Sequence, residues 1–360
     1  MRMKRLMAAA LGGLAMACQG PAAVLAQEAA ANVPGAGHAA ITREHRIRAL
    51  DTLERRLAHY VMAERTPAIR ARLAARRAAL LEIADPEAFR QTINAELLVA
   101  SGDKHLQVWL EPRSRDEPAA AGPPPTLEQM AAVEAANGWG VREAKVLENG
   151  VAWLDLAAFS GHPDSAAAID AVMARLAGAR ALVIDLRDNL GGGEVALRQL
   201  MGHLAPEPMR LEDISFRRCA PDPADPEGCI QDGGRDIFER YANRVAAPAF
   251  PDQPIRVLVG PGTFSAAEAV AYALQASGRA TVIGEPTGGG ANPSTGMDLG
   301  PWFTVIMPIG EARRPVTGTN WEGVGVQPDI VVPAAQAGAE ALRRLNAAPP
   351  SAGLNPSGLH

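Results

Sequence analysis

"IRVLVGPGTFSAAEAVAYALQASGRATVIG" (Ile255–Gly284) reads as strand, tight turn, helix, strand. Its first five residues are almost wholly apolar, and a Gly-Pro-Gly turn ends them. From Ala266 the pattern becomes helical, and "TVIG" (281–284) is a second short apolar run. The same alternation stands upstream. "VAWLDLAAF" (151–159) is strand-like, and "DSAAAIDAVMARLAGA" then places Ile169, Val172, Met173 and Leu176 on one helical stripe. "ALVIDL" (181–186) is a short apolar strand ending in Asp185, followed by Leu197, Leu200, Met201 and Leu204 on another stripe. Strands without polar alternation are buried on both faces. The expected fold is therefore α/β, a mostly parallel sheet with flanking helices.

Outward from this core the organisation changes. "MRMKR" followed by "LMAAALGGLAMA" and "AVLA" predicts a signal peptide over 1–26, cleaved after Ala26. Removing its three positive charges takes the formal net charge from −5 to −8. Cys18 in "AMAC" offers lipid anchoring as the alternative, although Ala15 stands where a leucine is expected. A periplasmic or secreted location follows, and the apolar run is too short for a stable membrane span. Residues 27–39 read as a disordered leader and 40–100 as a small N-terminal helical domain, with "DPEAFRQTINAELLVAS" opening on an Asp-Pro helix start. Residues 101–335 read as the catalytic-type domain, with 205–253 as a Pro/Asp/Gly-rich insertion and 336–360 as a tail.

Apolar residues make up 48% of the chain and charged ones 21%, enough for a sizeable core. The acidic balance and the lack of a basic block argue against nucleic acid as a partner. Cys219 and Cys229 bracket "APDPADPEG". In an exported chain two cysteines this close are expected to pair, with two free thiols as the alternative. Neither CxxC nor HExxH occurs, and no cofactor or metal is expected.

Three features fall at the carboxyl ends of strands, where α/β proteins gather their sites. Ser265 lies between "IRVLV" and a helix, as either an N-cap or a nucleophile. The amides of Ser265 and Ala266 would be free donors at the positive end of that helix. In "DLRDNLGGG" Gly191 and Gly192 either make a tight turn or offer amides to an oxyanion. The run lacks the lysine of a phosphate-binding loop. A serine needs a base, and among seven histidines His105, in "SGDKHLQVWL", opens an alternating strand. Glu322, in "NWEGVGVQPDIVV", is an acid among glycines and, taken alone, a turn residue.

"DLRDNLGGG", "GTFSAAEAVAYALQASGRATVIGEPTGGGANP", "WEGVGVQPDIVVP" and "DKHLQV" together resemble the S41 peptidases over about residues 45–333. These include the carboxyl-terminal processing proteases, the tricorn core protease and the repeats of interphotoreceptor retinoid-binding protein. The resemblance implies a crotonase-like ββα-type core, with Ser265 as nucleophile, His105 as base and Glu322 as orienting acid. It also implies an oxyanion hole of Gly191 or Gly192 with the Ala266 amide. The lysine of the Ser-Lys members falls at Gly290, and Lys104 stands where tricorn has an assisting serine. Residues 110–150 are too few for a PDZ module. What the resemblance implies is an exported serine endopeptidase acting on unstructured polypeptide. A binding module for apolar ligands or peptides, and an esterase, are the alternatives. Homo-oligomerisation is left open. If Glu322 favours the imidazolium, activity should rise through roughly pH 6–7.5.

Overall fold

The computed structural model describes residues 41–111, 126–315 and 317–347. The expected signal peptide with Cys18, the leader and the last part of the tail lie outside the described residues.

Six strands form the central sheet, in the order β12-β8-β7-β4-β3-β2. They are β2 (Val141–Val146), β3 (Val151–Leu156), β4 (Ala181–Asp185), β7 (Ile255–Val259), β8 (Ala280–Gly284) and β12 (Ile330–Val331). Only β2 runs antiparallel to its neighbour. Two three-stranded antiparallel sheets join it, so the β-structure of the whole is mixed. One is β1 (Gln107–Leu110), β10 (Phe303–Pro308) and β9 (Ser294–Asp298). The other is β11 (Gly310–Arg313), β5 (Asp213–Asp222) and β6 (Asp225–Phe238).

The apolar run of β4 is explained by what covers it. Leu182 and Ile184 face a core built with α5 (Ser165–Leu176), α6 (Glu194–Gly202) and α7 (Ala266–Ala276). Ala181 and Val183 face the opposite side, where Ala337, Ala341 and Leu345 of α8 (Ala334–Ala347) cover Val151, Leu258 and Ile283. With both faces buried, Ala181 to Ile184 are all apolar, and the buried Asp185 that ends the strand is paired with Arg187.

The N-terminal helices α1 (Arg43–Arg56), α2 (Thr66–Leu81) and α3 (Pro86–Ser101) build a third core. That core also takes in Leu106 just before β1, Val108 of β1, and Phe303, Val305 and Met307 of β10. Asp85 caps α3 by accepting the Ala88 amide at 2.7 Å. Gly102, at φ +66°, ends it by donating to the Leu98 carbonyl. This stop delivers the chain directly into Asp103, His105 and β1. A further helix, α4, spans Leu127–Ala136.

The stretch 205–253, read from its composition as an insertion, contains a long hairpin, β5–β6. Pro221 and Pro226 are tolerated because they lie at its far end, beside a register shift and on the edge strand β6. Cys219 and Cys229 are disulfide-bonded across it, as expected. Among the described residues no helix is long and apolar enough to cross a membrane.

Candidate active site

The turn after β7 is stitched to the turn after β4. Thr263 Oγ1 donates to the Leu186 carbonyl at 2.7 Å, and the Phe264 amide donates to the Asn189 carbonyl at 2.9 Å. Asn189, fully buried, donates its side-chain amide to the Leu156 carbonyl and accepts the Gly191 amide at 2.8 Å. This network brings Ser265 against the glycine run. A Cβ at Gly191 would stand 2.8 Å from both the Ala266 nitrogen and the Ser265 Cβ, so only glycine fits there.

Ser265 itself has φ +53° and ψ −118°. Trp139 is the other non-glycine residue described with positive φ. A side chain in this region costs about 1–3 kcal/mol and persists only where its surroundings hold it. Here the holding group is Glu268, which the sequence reading did not single out. It is fully buried. It accepts the amides of Ser265 at 2.9 Å, Gly289 at 2.7 Å and Gly290 at 2.8 Å, together with the Thr287 hydroxyl. Burial raises its pKa, and these four bonds oppose the rise. The signal was present as Ser-x-x-Glu, a capping box at the start of α7.

Two amides that the sequence offered as free donors are therefore already engaged. The Ser265 amide is held by Glu268 and the Gly191 amide by Asn189. The Ala266 amide opens α7, where the first helical N–H groups lack intrahelical partners, and Gly192 is exposed beside it.

His105 comes from the short segment between α3 and β1. Its ring lies 4.6 Å from that of Phe264, the residue before Ser265. Glu322 approaches from the loop before β12, with one carboxylate oxygen accepting the Ala291 amide at 2.7 Å. Ligand-type atoms of His105, Glu322 and Asp103 all lie within 4.8 Å of one another. His105 Nδ1 and Glu322 Oε1 are buried with no hydrogen-bond partner. The structure thus brings His105 and Glu322 together and sets the His105 ring against Phe264, the neighbour of Ser265, while no hydrogen bond joins Ser265 to His105.

The electrostatics differ from the expectation that Glu322 would push the imidazole upward. Burial dominates, pulling His105 down to about 4 against the raising effect of the Asp103 charge. Burial, then the Asp103 charge, pushes Glu322 up to about 7. The other groups are occupied elsewhere. Lys104 Nζ donates to the Gly288 carbonyl, Lys145 pairs with Glu143 on β2, and His203 bonds Asp170. His59 lies against the disulfide and the ring of His162 against Trp139. A serine on a forced turn, with an imidazole, a carboxylate and free amides nearby, can carry out acyl transfer.

The model of the family described as "Peptidase family S41" matches residues 150–332. The chain is 30% identical over 158 residues to the chloroplastic carboxyl-terminal-processing peptidase 2 of Arabidopsis thaliana, covering 42% of this chain and 26% of that protein. It is 40% identical over 81 residues to a carboxy-terminal-processing protease of Bartonella bacilliformis, covering 22% of this chain and 18% of that protein. The chain thus spans about a quarter or less of the length of these relatives. A solved protein of Parabacteroides merdae shares the fold over 86% of this chain and 98% of its own, with a TM-score of 0.56 at 16% identity.

Proposed function

Since the chain belongs to peptidase family S41, a family of serine-type peptidases, we propose that it is an endopeptidase cleaving unstructured polypeptide by Ser-His-Glu acyl transfer. Ser265 Oγ attacks the peptide carbonyl while His105 takes its proton. The depressed basicity of the buried imidazole keeps it neutral and ready at neutral pH. Ala266 and Gly192 amides receive the oxyanion, each donor being worth about 3–4 kcal/mol in comparable sites. The imidazolium then gives its proton to the leaving amine, and water attacks the acyl-enzyme in the reverse sense. Glu322 accepts from His105 Nδ1 and stabilises the imidazolium. This bond forms in the substrate complex, since such contacts tighten on binding.

The observation that carries the reading is the forced backbone of Ser265, because a mere N-cap needs no positive φ. The processing activity named for the relatives supports a polypeptide substrate. The disulfide favours an oxidising compartment and hence export. A fluorophosphonate probe should label the purified protein, and peptide mapping should place the label on Ser265. Ser265→Ala should abolish both labelling and hydrolysis of unfolded casein. Casein turnover at the parent rate by that variant would refute the assignment.

A further inference from the structure

His105 is faced by two carboxylates. The second is Asp103, which is fully buried and sits between the end of α3 and β1. One of its oxygens accepts the His105 backbone amide at 2.8 Å. The other accepts the Tyr60 hydroxyl at 2.9 Å. Tyr60 is itself fully buried, and its phenol is held far from ionisation by burial and by the Asp103 charge. The Asp103 amide is held in turn by the Ser101 hydroxyl at 3.1 Å. So fixed, Asp103 is a stationary negative charge beside the imidazole. A buried carboxylate costs several kcal/mol to desolvate unless it is well partnered, and clamping a two-residue turn could be done by a neutral Asn or Ser.

We propose that Asp103, held by Tyr60, is a positioning residue for the His105 base, orienting it through the backbone and supplying part of the charge that stabilises its imidazolium. This rests on His105 being the base. The proton path is unchanged: it leaves Ser265 for His105 and ends on the leaving amine, while Asp103 takes none. Other charges surround the pair. Glu322 faces the ring, and Glu268 lies behind Gly290. Arg65 binds the Ser101 carbonyl, and Lys104 is turned to Gly288. The Asp103 charge favours the charged imidazole and the neutral form of Glu322 alike, so removing it should lower both pKa values.

The test uses the full chain, with fluorophosphonate labelling and casein hydrolysis measured across pH. Asp103→Asn keeps an acceptor for the His105 amide but removes the charge. It should slow labelling about tenfold or more at unchanged KM, and move the midpoint of the rate's rise to lower pH. Tyr60→Phe should slow the parent several-fold yet add little in the Asp103→Asn background, as partners in one unit do. If Asp103→Asn does not fold, Tyr60→Phe alone decides, by loss of rate at unchanged KM in protein that circular dichroism shows to be folded at the assay temperature. A folded Asp103→Asn with the parent's pH midpoint overturns the proposal, as does a Tyr60→Phe with the parent's rate. His105→Ala separates the two levels. If it labels as fast as the parent, the base assignment itself fails. If it is inert while Asp103→Asn behaves as the parent, only Asp103 loses its role.

Discussion

A methyl group at Gly290 would occupy space already filled. Its Cβ would stand 2.2 Å from the Phe264 ring and 2.5 Å from His105 Cε1. The imidazole and its phenyl neighbour take up that volume. Gly290→Ala should therefore displace His105. We expect kcat to fall at least about a hundredfold, with an overpacking cost of about 1–3 kcal/mol. Steady-state kinetics and denaturant unfolding check both, and parent-like kcat would mean that His105 tolerates displacement. At this scale the strand–serine–helix context of Ser265 was legible, whereas Glu322 read alone as a turn residue and was singled out only by the family resemblance. Glu268 was legible in principle from its spacing to Ser265. The Tyr60–Asp103 contact was not, since 43 residues separate the two and nothing local marks either. Nor could residue types reveal that Asn189 and Glu268 had already claimed two of the amides offered to an oxyanion.

Among the elements, β4 and β7 could be read because two-sided burial leaves a short, almost wholly apolar run. The hairpin β5–β6 could not, because its half-exposed strands carry Pro, Asp and Gly at their tip. What holds it is tertiary. Gln231 donates to the Ala58 carbonyl at 3.0 Å and Arg217 to the Tyr60 carbonyl at 2.8 Å. Arg56 pairs with Glu227, and the disulfide lies against His59. Replacing both cysteines by serine should loosen the hairpin by roughly 2–3 kcal/mol at most, the loop-closure figure for so short a ring. Amide exchange should quicken across 213–238 while β4 and β7 keep their protection. Equal exchange in parent and variant would show that the contacts to the Ala58–Tyr60 segment suffice without the bond.

For the molecule as a whole, the buried pair couples stability to pH. Glu322 titrates near 4.5 when unperturbed and at about 7 in the fold. Its raised value gives stability that is complete below pH 4.5 and is lost as pH rises through 7. His105 runs the other way, from 6.5 down to about 4. Its contribution is complete above pH 6.5 and is lost as pH falls through 4. Glu322→Gln should therefore gain stability relative to the parent on going from pH 5 to pH 8, by on the order of 1–3 kcal/mol. Chemical denaturation at the two pH values measures this, and a constant difference would refute it. Turnover should need the Glu322 carboxylate, so the rate should rise with a midpoint near 7 that belongs to the His105–Glu322 pair. The same substitution should lower the plateau and flatten that rise.

The pairing of β1 with β10 sets Gln107 opposite Ile306 and Leu110 opposite Phe303. Two segments almost two hundred residues apart must meet before the start of β1 has a fixed place. Such closures are late and slow compared with the local β7–α7–β8 unit that forms the turn at Ser265. Glu322 arrives later still along the chain. The turn at Ser265 is itself tied to the turn after β4, so the proposed trio of Ser265, His105 and Glu322 is complete only once these long-range contacts have formed.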